Sequence, residues 1–231
     1  MRIVVFDLDG TLIDSEAGIV FAMQRTVEAL KLPQETVEHW RRLIGVPLRE
    51  QMPLILPEGR REQAAEVIEV YRQVYREVML ATSLPFEGVP ELLQALHARG
   101  VVLAICSGKR GRAIAEVLAH LGWQGLFKAV VSPDDVIRGK PDPESLLRVL
   151  EVTGCLAAEA IMVGDTTFDL EMARGAGVAG CAVTWGTHGR PELARSRPDY
   201  WADSVAVLGV FLMSQLNVVL GPVGVYLPAS P

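Results

Sequence analysis

From Leu84 onward the chain repeats one texture: a short unbroken apolar run, then a stretch with helical spacing, then another run. The runs are VVLAIC (101–106), KAVVS (128–132), AIMVGD (160–165) and VAGCAV (178–183), and Ile3-Val4-Val5-Phe6 opens the chain in the same way. Strands that are apolar at successive positions, rather than at every second one, are covered on both faces. Between the runs lie Val89, Leu92, Leu93 and Leu96, stopped at Arg99-Gly100, then Ile114, Leu118 and Leu121, then Ser145 to Glu151, then Asp169 to Arg174. This alternation predicts an α/β core with a parallel sheet between two helical layers.

The segment between the first strand and Leu84 carries no strand signal. Val20, Met23, Val27 and Leu30 follow helical spacing, and Ala64, Val67, Ile68, Tyr71, Val74, Tyr75 and Val78 form a stronger stripe. Pro33, Gly45-Val46-Pro47, Pro53 and Pro57-Glu58-Gly59 divide it into about four helices. The expected organisation is a core from residues 1–14 and 85–216, an all-helical insert over 15–84 and an apolar tail over 217–231. No charged residue follows Asp203, and that stretch is long enough to span a bilayer. Ser214, Gln215, Asn217, the Gly221-Pro222 break and the lack of a basic flank argue against a membrane anchor. A terminal amphipathic helix on the core is expected instead. Its tail would dock on the same chain or on a second copy, forming a homodimer.

A net charge of −6 gives no electrostatic reason to expect nucleic acid or an anionic membrane as partner. Cys106, Cys155 and Cys181 form no C-x-x-C pair and sit in or beside apolar segments, as free thiols of a reducing compartment do. Acids from position 7 onward interrupt any signal-peptide core. A cytoplasmic location is expected.

In open parallel sheets, ligands bind beyond the carboxyl ends of the strands. Here those ends carry Asp7 and Asp9, then Ser107-Gly108-Lys109, then Ser132, then Gly164-Asp165, while Lys140 stands in the loop GKPDPE before a helix. Gathering Asp7, Asp9, Asp165 and Asp169 is costly through mutual repulsion. A divalent cation removes the cost, and hard oxygen ligands with open positions suit Mg²⁺. A carboxylate can attack phosphorus, and a neighbouring acid can protonate the leaving oxygen and then activate water. Lys140, Ser107 and the turn amides at Gly108 and Gly10-Thr11 supply the donors that a transferring phosphoryl group needs.

Four segments stand in order on those strand ends: DLDGT (7–11), Ser107, GKPDPE around Lys140, and GDTTFD (164–169). On these the chain resembles the haloacid dehalogenase-like (HAD) superfamily, in its phosphoglycolate phosphatase-like branch with a helical cap, over Arg2 to about Leu212. The resemblance implies a Rossmann-like core with an inserted cap, and a phosphatase acting on a small-molecule phosphate ester with Mg²⁺. It implies that Asp7 is nucleophile and metal ligand, and that Asp9 is acid/base and offers its backbone carbonyl to the metal. Ser107, Gly108, Thr11 and Lys140 would bind phosphoryl oxygens. Asp165 would ligate the metal directly, and Asp169 through water or by orienting its partners. An acid at position 9 fits an alkoxide leaving group, which needs a proton, better than a halide, which does not.

The chain departs from the pattern at Gly108, where relatives often carry Asn. The backbone donor survives, a side-chain donor is lost, and Lys109 stands beside it. Related activities remain open: sugar phosphomutase (beta-phosphoglucomutase-like), pyrophosphatase or, in another class, a phospho-accepting receiver-type signalling protein. The loop Ile44 to Leu48 is expected near the substrate. Tyr71 and Tyr75 read as packing within the insert. Of the histidines, only His188, in WGTHGRPE, is placed where it could approach the insert.

Overall fold

A computed structural model gives the tertiary structure and describes residues 1–217. Strand β1 (Ile3–Phe6) is followed by the two-residue β2 (Ile13–Asp14). Four helices come next: α1 (Glu16–Ala29), α2 (Thr36–Arg41), α3 (Leu48–Ile55) and α4 (Ala64–Val78), with a 3-10 segment at Glu58–Gln63. The chain returns through β3 (Leu84–Pro85), which pairs antiparallel with β2 and so draws both ends of the helical insert together. Then follow α5 (Val89–Ala98), β4 (Val102–Cys106), α6 (Gly111–His120), β5 (Ala129–Val131), α7 (Glu144–Thr153) and β6 (Ala160–Gly164). After them come α8 (Thr167–Gly175), β7 (Ala179–Val183), α9 (Arg190–Leu193), β8 (Tyr200–Ala202) and α10 (Val205–Asn217).

Six strands form one parallel sheet in the order β5-β4-β1-β6-β7-β8. Its two faces divide the apolar residues by the two-residue period of a strand. Val4 and Phe6 join the cluster that contains Leu93 and Ile114, while Ile3 and Val5 join the one that contains Leu146 and Met172. The unbroken apolar runs follow from this double cover. β8 was not expected from the pattern; three residues are too few to show a period, and pairing with β7 defines the strand.

Register then sets the site. Phe6 is level with Ile105 on one side and Val163 on the other. Asp7 therefore emerges beside Cys106 and Gly164, with Ser107 and Asp165 one residue further out. The strand order reverses at β1 and β6, the kind of point where open α/β sheets form a crevice.

Within the insert, the buried face of α1 is Ile19, Ala22, Met23, Thr26 and Val27, while Val20 and Leu30 are half-buried, so the helix is turned slightly from the expected stripe. In α4 the buried residues are Val67, Ile68 and Tyr75. Helix α10 buries Leu208 and Leu212 and leaves Val210 exposed. The tail from 218 lies outside the described residues. Among the described residues no helix is long and apolar enough to cross a membrane, and all three cysteines are free and buried.

Leu93 is fully buried in α5 within the core cluster that includes Val4 and Phe6. Leu93→Ala should destabilise the chain by about 2–5 kcal/mol in urea unfolding, because it removes apolar contact and leaves a cavity in a packed layer.

Candidate active site

Asp7, Asp165 and Asp169 each place one carboxylate oxygen within 4.8 Å of the others, and all three are buried. Lys140, only 1% exposed, is set between them. Its Nζ donates to Asp169 Oδ1 at 2.6 Å and lies 2.9 Å from Asp7 Oδ1, an ion pair too poorly angled for a directed hydrogen bond. Asp7 Oδ2 has no partner at all. Burial pushes the Asp7 carboxyl well above the ordinary carboxylate range; Lys140 opposes this, and Asp169 and Asp165 add to it. Burial likewise raises Asp165 to about 6, with Asp169 contributing. Burial works against the Lys140 charge too, but Asp169 and Asp7 outweigh it, so the ammonium is held above its usual range.

Each carboxylate is aimed by local structure. Asp165 accepts from Thr11 Oγ1 at 2.7 Å and from the Thr187 amide at 2.8 Å. Asp169 occupies the first turn of α8, and its Oδ2 accepts from the Thr166 amide and hydroxyl in a capping box. The turn after Asp9 runs through Gly10 at φ +82°, where a Cβ would come within 2.3 Å of Asp165 Oδ2, so only glycine fits. An orphaned, buried carboxylate oxygen beside two further carboxylates fits a hard divalent cation. Asp169, with both oxygens already accepting hydrogen bonds, is less free than Asp7 to give a ligand.

Asp9 stands apart from this group. Its Oδ1 accepts from Ser15 Oγ at 2.6 Å and lies 3.1 Å from Lys109 Nζ. Asp7, Asp9, Ser107, Gly108 and Lys109 all line one cavity of about 690 Å³, roofed by insert residues that include Gly45, Val46, Arg49, Tyr71 and Tyr75. The Thr11 hydroxyl is spent on Asp165.

The roof meets the floor at named places. The Gly45 carbonyl sits so near Gly108 that a Cβ on Gly108 would approach it to 2.4 Å. Gln51 holds the loop before α3 by donating to the carbonyls of Val46 and Leu43, while Trp40 Nε1 donates to its Oε1. Glu50 accepts from the Gly139 amide, next to Lys140. His188 accepts from the Thr167 amide through Nδ1, so its Nε2–H donates to the Arg42 carbonyl of the insert at 3.2 Å. Lys109 donates to Tyr75 Oη at 2.9 Å and lies over its ring. Tyr75 is thus a site residue as well as a packing one. Nothing in the helical stripe distinguishes it from a core residue.

The profile of the haloacid dehalogenase-like hydrolases matches residues 4–183. The chain belongs to that family. A protein of Dickeya dadantii (strain 3937) named probable phosphatase IndB is 38% identical over 207 residues, covering 87% of this chain and 89% of that protein. The phosphoglycolate phosphatase of Aquifex aeolicus (strain VF5) is 33% identical over 202 residues, covering 86% and 93%. A Streptococcus pneumoniae structure described as a haloacid dehalogenase-like family hydrolase superposes with a TM-score of 0.78 at 25% identity, covering 94% of this chain and 98% of that one.

The raised Asp165 carboxyl binds a proton more tightly folded than unfolded, so metal-free stability is present at low pH and lost as pH rises from about 4 to 6. A shift from 3.8 to about 6 corresponds to roughly 3 kcal/mol, and Asp7 acts in the same direction. Urea unfolding of metal-free protein should therefore show lower stability at pH 7 than at pH 5, and a saturating divalent cation should reverse the order. Equal metal-free stability at the two pH values would contradict this electrostatic account.

Proposed function

We propose that this phosphoric monoester hydrolase acts with Mg²⁺ on a small phosphate ester of the phosphoglycolate kind, through a phosphoaspartate formed on Asp7. The observation that carries this reading is a buried Asp7 carboxylate whose Oδ2 has no partner and whose Oδ1 lies 2.9 Å from the Lys140 ammonium, in a residue that lines the roofed cavity together with Asp9.

Asp7 Oδ attacks phosphorus. The bond from phosphorus to the ester oxygen breaks, and its electron pair goes to the leaving oxygen, which takes a proton from Asp9. Water then attacks the phosphoaspartate, passes its proton to Asp9 and releases phosphate, restoring the Asp7 carboxylate. Lys140, Ser107 and the backbone amides at Gly108 and Thr11 hold the phosphoryl oxygens throughout. When bound by Asp7, Asp165 and the Asp9 carbonyl, with Asp169 assisting, Mg²⁺ supplies positive charge against the carboxylates and the phosphoryl group. Residues 15–84 act as the cap that excludes water from the phosphoaspartate until the leaving group departs. Buried free thiols fit action in the reducing cytoplasm.

Asp7→Asn should abolish phosphate release while leaving the unfolding transition in place; retained turnover would overturn the nucleophile assignment. Excess chelator should stop the parent enzyme, and added Mg²⁺ should restore it. Gly108→Ala should keep the fold but hold the cap off the floor, lowering kcat/KM by roughly 100-fold, the scale of a 1 Å misplacement. A Gly108→Ala enzyme with parental kinetics would show that close approach of Gly45 in the cap to Gly108 is not needed for turnover.

A further inference from the structure

Lys109 has no place in the steps above, yet it is one of the more unusual side chains in the molecule. Its side chain is 6% exposed, and its ammonium lies 3.1 Å from Asp9 Oδ1, 2.9 Å from Tyr75 Oη and 4.6 Å from the centre of the Tyr75 ring. Its backbone amide donates to Ser107 Oγ, which fixes the residue relative to the phosphate floor. One buried cation is thus gripped by the core on one side and by the cap on the other.

We infer that Lys109 is a specificity-determining residue that recognises an anionic substituent on the leaving group. The inference rests on the phosphatase reading above. Asp9 must reach the leaving oxygen at hydrogen-bond distance, so a cation in contact with Asp9 stands within about 6–8 Å of that oxygen, the longer span applying when the proton leaves from Oδ2. That is the neighbourhood of the atoms one or two bonds beyond the ester oxygen. A carboxylate or a phosphate there would take the ammonium that Asp9 now holds, with a charge-assisted hydrogen bond in a site shielded from water. A neutral leaving group offers nothing to the cation and leaves it on the acid.

The insert side of the cavity carries net positive charge, three arginines against the one acid Glu50. Arg49, Arg72 and Arg76 line the same cavity from the cap, and none is in an ion pair among the described residues. Net positive charge on the insert side, above a phosphate floor, favours a substrate that is anionic at both ends.

The test compares three substrates with Mg²⁺ present: 2-phosphoglycolate, whose leaving group carries a carboxylate; inorganic pyrophosphate, whose leaving group is a phosphate; and ethyl phosphate, whose leaving group is neutral. The parent enzyme should show kcat/KM at least 100-fold higher on one of the anionic pair than on ethyl phosphate, and whichever is preferred identifies the anion. In Lys109→Met and Lys109→Gln that ratio should fall to within about tenfold. Because the ratio is read within each preparation, loss of folded protein cancels. A parental ratio within threefold, or a ratio preserved in either variant, overturns the role of Lys109 and leaves the phosphatase reading standing. No phosphate release by the parent from any of the three would instead count against both.

Discussion

The molecule is organised around one buried balance of charge. Asp7, Asp165 and Asp169 converge where water is excluded, and the Lys140 ammonium, in contact with Asp7 and Asp169, is the cation that the fold itself supplies. One ammonium cannot neutralise three carboxylates. Burial first, and then the surplus of negative charge, raise the Asp7 and Asp165 carboxyls, and one Asp7 oxygen is left without a partner. Such a site is costly while empty, and in the proposed reaction positive charge and a phosphoryl group would offset that cost.

Holding that balance requires a rigid platform. β1 is fully buried and lies between β4 and β6, so neither of its edges is free to slip, and a one-residue slip would turn Asp7 to the other face of the sheet. Glycine at position 10 lets the backbone turn against Asp165 without a side chain between them. The cap contacts the ends of the same strands: Gly45 on Gly108, Arg42 on His188, Glu50 on Gly139, and Tyr75 on Lys109. Each floor residue in these contacts lies in a loop that also carries a residue of the candidate site. Cap position and site geometry are mechanically linked for that reason.

Much of this was legible in the residues. Asp7, Asp9, Ser107, Lys140, Asp165 and Asp169 could be named because strand ends are readable from apolar runs, and because acids in such places demand an explanation. Less legible were the partners. Thr11 is spent on aiming Asp165, which its place in DLDGT does not reveal. Tyr75 sits in a stripe whose periodicity describes a packed helix equally well. His188 could be placed near the insert, but not joined to the Arg42 carbonyl. The departure at Gly108 gains its reason only when Gly45 is seen against it.

By itself, then, the sequence determined the layered α/β core, the helical insert and which polar residues stand at the strand ends, because each of these is written in local periodicity and residue type. Tertiary structure alone decided that β8 is a strand, that Asp9 faces Lys109 and Ser15 instead of the other carboxylates, and that a cap tyrosine reaches the acid's cation. Apart from Ser15, which is six residues from Asp9, those are relations between segments far apart in the chain. They depend on sheet register and on how closely two backbones can approach, and neither quantity is carried by any one stretch of residues.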